Sequence, residues 1–171
     1  SLVKDVTSGT FILHEGQFGI GDVVRIDKVS GQVEKVALRT TTLRDFEGVV
    51  HIIPNGAILT VSNMTKAWSR TVLDIPVAYR ENVERVITVM REIGDEFRGD
   101  SNWGPLLLGD PEVLGIQNFG DAGITIRIQV RTLPLKQWDV ASELRRRIKI
   151  RFDREKIVIA HPSFPWQDEA I

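Results

Sequence analysis

The sequence predicts a mixed fold, a small β-barrel followed by an α+β sandwich, and three observations predict it. Between Phe11 and Ile53 short β-branched runs are broken by glycines. From Asn82 to Phe97 apolar residues recur at helical spacing, and Ile124, Ile126, Ile128 and Val130 alternate strictly with polar neighbours. A chain of 171 residues, 42% hydrophobic and 26% charged, is long enough for one sizeable domain or two small ones, and its composition is not that of a disordered segment.

The strand-forming runs of the first half are Phe11 to Leu13, Asp22 to Ile26, Gln32 to Leu43 and Val49 to Ile53. Gln17 to Gly21 and Asp45-Phe46-Glu47-Gly48 read as turns, the second making a hairpin. About five short strands curl into a partly closed barrel because closure removes exposed edges. The longest stretch without Asp, Glu, Lys or Arg, Gly48 to Thr65, is interrupted by Pro54-Asn55-Gly56. It therefore reads as two short buried elements around a turn and not as a membrane helix, which needs about 20 apolar residues.

A second unit follows a junction at Asn63 to Ala67. Thr71 to Tyr79 reads as a strand, and a helix from Asn82, its N-cap, buries Val83, Val86, Ile87, Met90, Ile93 and Phe97. Val113 to Gln117 and Ile124 to Val130 form a hairpin across the turn residues Asn118 to Gly123. After Pro134 a helix carries Trp138, Ala141, Leu144, Ile148 and Phe152 on one face, and Ile157 to Ile159 is a last strand before Pro162 and Pro165. Strand, helix, strand, strand, helix, strand is the split βαβ, or ferredoxin-like, order.

The side chains supply little chemistry. His14, His51 and His161 lie far apart without ligand spacing, there is no cysteine, and no Gly-x-Ser-x-Gly elbow occurs. Gly19-Ile20-Gly21-Asp22 lacks the third glycine and the helix of a dinucleotide fingerprint, so it reads as a turn. No catalytic residue, metal ligand or cofactor is therefore expected. Arg145-Arg146-Arg147 splay around a helix and are diluted by Glu143, Asp153 and Glu155, which describes a solvated face. Residues 1 to 66 hold seven basic and seven acidic side chains, and the whole chain has a formal net charge of −1, so no nucleic-acid footprint is present.

One ordered set of motifs goes further. Glu15-Gly16-Gln17-Phe18-Gly19-Ile20-Gly21-Asp22-Val23-Val24, Gly31-Gln32-Val33-Glu34, Leu38-Arg39-Thr40-Thr41-Thr42-Leu43-Arg44 and Ile53-Pro54-Asn55-Gly56-Ala57-Ile58 closely resemble the small-conductance mechanosensitive channel family. Ser62-Asn63, Val77-Ala78-Tyr79, Trp138, Ile148-Lys149 and Phe152-Asp153 continue the resemblance over nearly the whole chain. It implies an Sm-like β-barrel (residues 11–66), a ferredoxin-like α+β domain (67–162) and a C-terminal tail (163–171), preceded by the end of a pore-lining helix (1–10). Leu2, Val3, Val6 and Gly9 would belong to that helix end. Gly21, Asp22, Gly31, Pro54, Asn55 and Gly56 would be the structural signature, with Gly21 and Gly31 permitting barrel turns.

The resemblance further implies a homo-heptamer that encloses a cytoplasmic chamber under the inner membrane. Ions and small osmolytes would pass through it when tension opens the pore, and membrane lipids would be touched only by transmembrane helices lying outside this sequence. Ser1 opens the chain with neither an initiator Met nor a signal-peptide pattern, which reads as part of a longer protein. Two departures from the family pattern stand out. Asp5 occupies a position where the family often has Asn, and Lys156-Ile157-Val158-Ile159-Ala160-His161-Pro162 replaces a Gly-Ile-x-Ile-Pro-Phe-Pro ending. Two other classes remain alternatives, an Sm-like RNA-binding module and a ferredoxin-like small-molecule sensing domain.

Overall fold

A computed structural model describes residues 1–161. The chain divides into two compact units, Ser1–Ala67 and the remainder from Trp68. Pro162, Pro165 and the expected tail at 163–171 lie outside the described residues.

The first unit opens with a helix, α1 (Leu2–Glu15), capped by the Ser1 hydroxyl, which accepts from the Lys4 amide. Five strands follow: β1 (Val23–Ile26), β2 (Val29–Val36), β3 (Thr40–Arg44), β4 (Val50–Pro54) and β5 (Val61–Asn63). A single 3-10 turn, Asn55–Ala57, links β4 to β5. The strand expected at Phe11 to Leu13 is helical, and the helix does not end at residue 10. Ile12 is the one β-branched residue there, and the helix runs on to a stop signal at Gly16, whose φ of 58° is left-handed and whose amide bonds back to Ile12 O. The single run expected from Gln32 to Leu43 is two strands, turned at Ala37 to Arg39.

Every pairing in this sheet is antiparallel and the order is β4-β3-β2-β1-β5. The barrel expectation is corrected in one respect: no ladder joins β4 to β5, so the sheet does not close. β5 is only three residues long, and β4 ends on Pro54, which has no amide hydrogen to donate. The small core is Ile12, Phe18, Val24, Ile26, Val33 and Leu43. Contrary to expectation, β4 is not buried, since Val50 and Ile52 stand exposed on the edge of the sheet.

The second unit contains β6 (Ser69–Val77), α2 (Val83–Gly99), β7 (Glu112–Phe119), β8 (Ile124–Thr132) and α3 (Gln137–Glu155). Asn82 is the N-cap, its side chain accepting from the Arg85 amide. The sheet order is β6-β8-β7, and an isolated antiparallel bridge between Val77 and Ile159 puts the last segment beside β6. That is the ferredoxin-like order, with the fourth strand reduced to a bridge. Burial along β6 and β8 alternates with period two, so Leu73, Ile75, Ile126 and Ile128 face the helices. In α3 the expected core residue Trp138 is partly exposed and Val140 takes its place, because the buried row runs at i, i+4 through Val140, Leu144, Ile148 and Phe152 and Trp138 lies off it.

Candidate functional site

The most constrained polar site of the first unit is the seat of α1 on the strand-to-turn corner after β4. Asp5, Gly9 and Ile12 recur at i, i+4 and i+7, which places them on one face of the helix. Asp5 Oδ1 accepts a 3.0 Å hydrogen bond from the Gly56 amide. A Cβ on Gly56 would lie 2.4 Å from Asp5 Oδ1. At Gly9 the approach is to backbone, since a Cβ there would sit 2.0 Å from Leu38 O and 2.5 Å from Asn55 Nδ2. Only glycine fits against the backbone at Gly9, while a side chain at Gly56 would displace the Asp5 carboxylate that the Gly56 amide holds.

Asn55 holds the corner. It is fully buried; its Oδ1 accepts from Thr41 Oγ at 2.8 Å, and its Nδ2 donates to Ala37 O and Leu38 O at 2.8 and 3.0 Å. The β2–β3 turn, β3 and the 3-10 turn are thus tied by one amide beneath the helix. Pro54, before it, closes the β3–β4 ladder opposite Thr40.

A second polar knot joins the start and end of the unit. Asp22 Oδ2 accepts from the Gly19 amide at 3.0 Å and from Asn63 Nδ2 at 2.9 Å. The buried Thr65 hydroxyl accepts from Val23 N at 3.0 Å and donates to Asp22 Oδ1 at 3.4 Å. Gly21, with φ of 94°, makes the turn that aims Asp22 at this knot. Gly31 differs from expectation, because it lies inside β2 and not in a turn. A Cβ at Gly31 would meet Arg44 O at 2.5 Å, so its role is close backbone approach. Leu2 and Val3 are exposed, while Val6 is half-buried.

Sequence reasoning singled out Asn55, Gly9 and Asp22; of their partners, Thr41 and Asn63 were quoted within the family motifs without a role, and Thr65 was given none. Polar residues at strand ends were the available signal. His51 bonds to Asp45 Oδ2 at 2.8 Å, and that contact, with the Val49 and Glu47 amides, holds the Asp45 carboxyl below its ordinary range. Among the described residues no group of His, Cys, Asp and Glu is arranged to hold a metal ion. The arginine run belongs to an ion-pair network: Arg147 joins Glu143 to Asp100, and Arg151 joins Glu92, Glu96 and Glu155.

A helix seated on a five-stranded β unit, followed by a ferredoxin-like unit, is the two-part architecture of mechanosensitive channel domains. The model of the mechanosensitive ion channel β-domain matches residues 1–66 and that of the MscS C-terminal domain matches residues 71–159. The chain belongs to the MscS family of mechanosensitive ion channels. It is 38% identical over 162 residues to a small-conductance mechanosensitive channel of Caldanaerobacter subterraneus, covering 95% of this chain and 56% of that protein. To the moderate conductance mechanosensitive channel YbiO of Escherichia coli it is 31% identical, over 90% of this chain and 21% of that protein. The fold resembles the closed-state crystal structure of Helicobacter pylori MscS, with a TM-score of 0.75, 24% identity, and coverage of 95% of this chain and 63% of that one. The chain thus spans about half the length of the first of these relatives or less. Among the described residues no helix is long and apolar enough to cross a membrane.

Proposed function

We propose that this chain is the cytoplasmic vestibule part of a mechanosensitive channel that passes ions and small osmolytes when membrane tension opens the pore, and that it performs no catalysis. The observation that carries the reading is the seat of α1. One helix face is fixed by Asp5, Gly9 and Ile12, while Leu2 and Val3 stay exposed for neighbours above and beside it. A helix held this way transmits force from a pore to the domain beneath, and the assembly is a homo-oligomer, a heptamer by resemblance. Lipid contact belongs to membrane spans of the longer protein. RNA binding is less well supported, since the outward row of β8 is Thr125, Arg127, Gln129 and Arg131, without a stacking aromatic.

Patch-clamp recording tests the reading. The full-length protein reconstituted in liposomes is expected to give currents that appear with suction and vanish on its release. Intact protein that stays electrically silent up to membrane rupture refutes it.

A further inference from the structure

The outward row of the second sheet carries two cross-strand pairs of opposite character. Asp74 faces Arg127 in register, and the guanidinium grips both carboxylate oxygens at 2.7 and 2.8 Å. At the other end of the same row Arg70 faces Arg131, like charge against like, an arrangement that destabilises a strand pair. Among the described residues neither of these two arginines forms an ion pair or a side-chain hydrogen bond. Both guanidiniums instead lie over the Trp68 ring, whose centroid is 5.2 Å from the Arg70 guanidinium carbon and 4.2 Å from that of Arg131.

Both arginines line one cleft of about 350 Å³, closed on its other side by Leu108, Gly109, Asp110 and Glu112. Its two carboxylates make their contacts with other side chains and not with these arginines. Asp110 is engaged by Arg98 at 3.3 Å, and Glu112 accepts from Gln129 at 3.2 Å. The guanidinium forks are thus uncommitted donors, held in place by strand register and by an aromatic platform.

We propose that this cleft binds a small oxyanion, a carboxylate or a phosphate no larger than an amino acid, bridged between Arg70 and Arg131. Guanidinium forks match such oxygens in bidentate geometry, and a shared anion turns the repulsive pair into an attractive one. The Trp68 platform limits the freedom lost on binding. Because the cleft is open to water, its affinity falls with ionic strength. The inference does not depend on the channel reading.

Calorimetric titration of the 171-residue chain with sodium glutamate, and separately with sodium phosphate, tests it against sodium chloride at matched ionic strength. Saturable binding of at least one oxyanion is expected; which of the two binds identifies the source of the oxygens. Arg70→Gln and Arg131→Gln are each expected to weaken binding by about tenfold, the loss of a charge-assisted contact. Arg25→Gln, an exposed arginine of the first unit, leaves it unchanged. Should Arg131→Gln melt early through loss of its closer contact with Trp68, Arg70→Gln carries the comparison. Heats no different from chloride, retention of binding in the folded variants, or an equal loss in Arg25→Gln overturns the proposal.

Discussion

Asn55 shows how much of the first unit turns on one buried amide. Its oxygen and nitrogen satisfy Thr41 Oγ1, Ala37 O and Leu38 O, and both Asn55 and Thr41 are fully buried. Asn55→Ala leaves those groups unpaired, so a loss of about 2 to 3 kcal/mol is expected in urea denaturation, the upper part of the range for orphaned buried polar groups. A shift below about 0.5 kcal/mol means that they find other partners. At the same corner Asp5 keeps one of the functions available to the asparagine that the family often has there. A carboxylate oxygen accepts from the Gly56 amide as a side-chain carbonyl does, but it has no N–H to give.

Elements show why some of the fold was legible and some was not. The face of α2 and the rows of β6 and β8 follow their periods without interruption, because each packs one face on a large core. Phe11 to Leu13 carry residues that favour strands yet continue α1, a helix whose end is set only at Gly16. Gly31 reads as a turn residue but serves inside a strand, where Gln32 pairs with Arg44 and the Arg44 carbonyl leaves no room for a side chain. Gly31→Val therefore strains backbone that cannot move aside. It is expected to cost about 1 to 3 kcal/mol, and an unchanged denaturation midpoint refutes the close-approach role. The seat of α1 was half legible, since Pro54-Asn55-Gly56 marks the corner, whereas Thr41 and Leu38, quoted only as part of a family motif, are brought to it by folding and nothing local in the sequence tells their role.

The ion pairs along α3 make a pH prediction at the same scale. Hydrogen bonds from Arg146 and Arg147 lower the Glu143 carboxyl from 4.5 to about 2. A depressed acid contributes stability in full above its unfolded value and loses it as pH falls through the folded one. The second unit is therefore expected to lose melting temperature between about pH 4.5 and pH 2. Asp74, Asp100 and Glu155, also lowered by arginine partners, add to the slope. Glu143→Gln should flatten part of this loss; a variant with the wild-type slope shows that Glu143 contributes none of it.

At the scale of the molecule, each unit has a core drawn wholly from its own residues. Among the described residues the first core holds six buried apolar side chains and the second nineteen. Apolar burial is the main favourable term in folding, and a unit of 60 to 70 residues buries a smaller fraction of its surface than a larger one. Two thermal transitions are therefore expected in calorimetry of the chain, the lower one belonging to Ser1–Ala67. The two perturbations above identify them independently. Gly31→Val should move the lower transition and leave the upper in place, while acidification from about pH 4.5 to pH 2 lowers both, since Asp45 of the first unit is also depressed, but Glu143→Gln should shrink the acid shift of the upper one alone. A single transition shifted by both perturbations means that the units unfold as one cooperative body, and the separation of their cores would then have no thermodynamic expression.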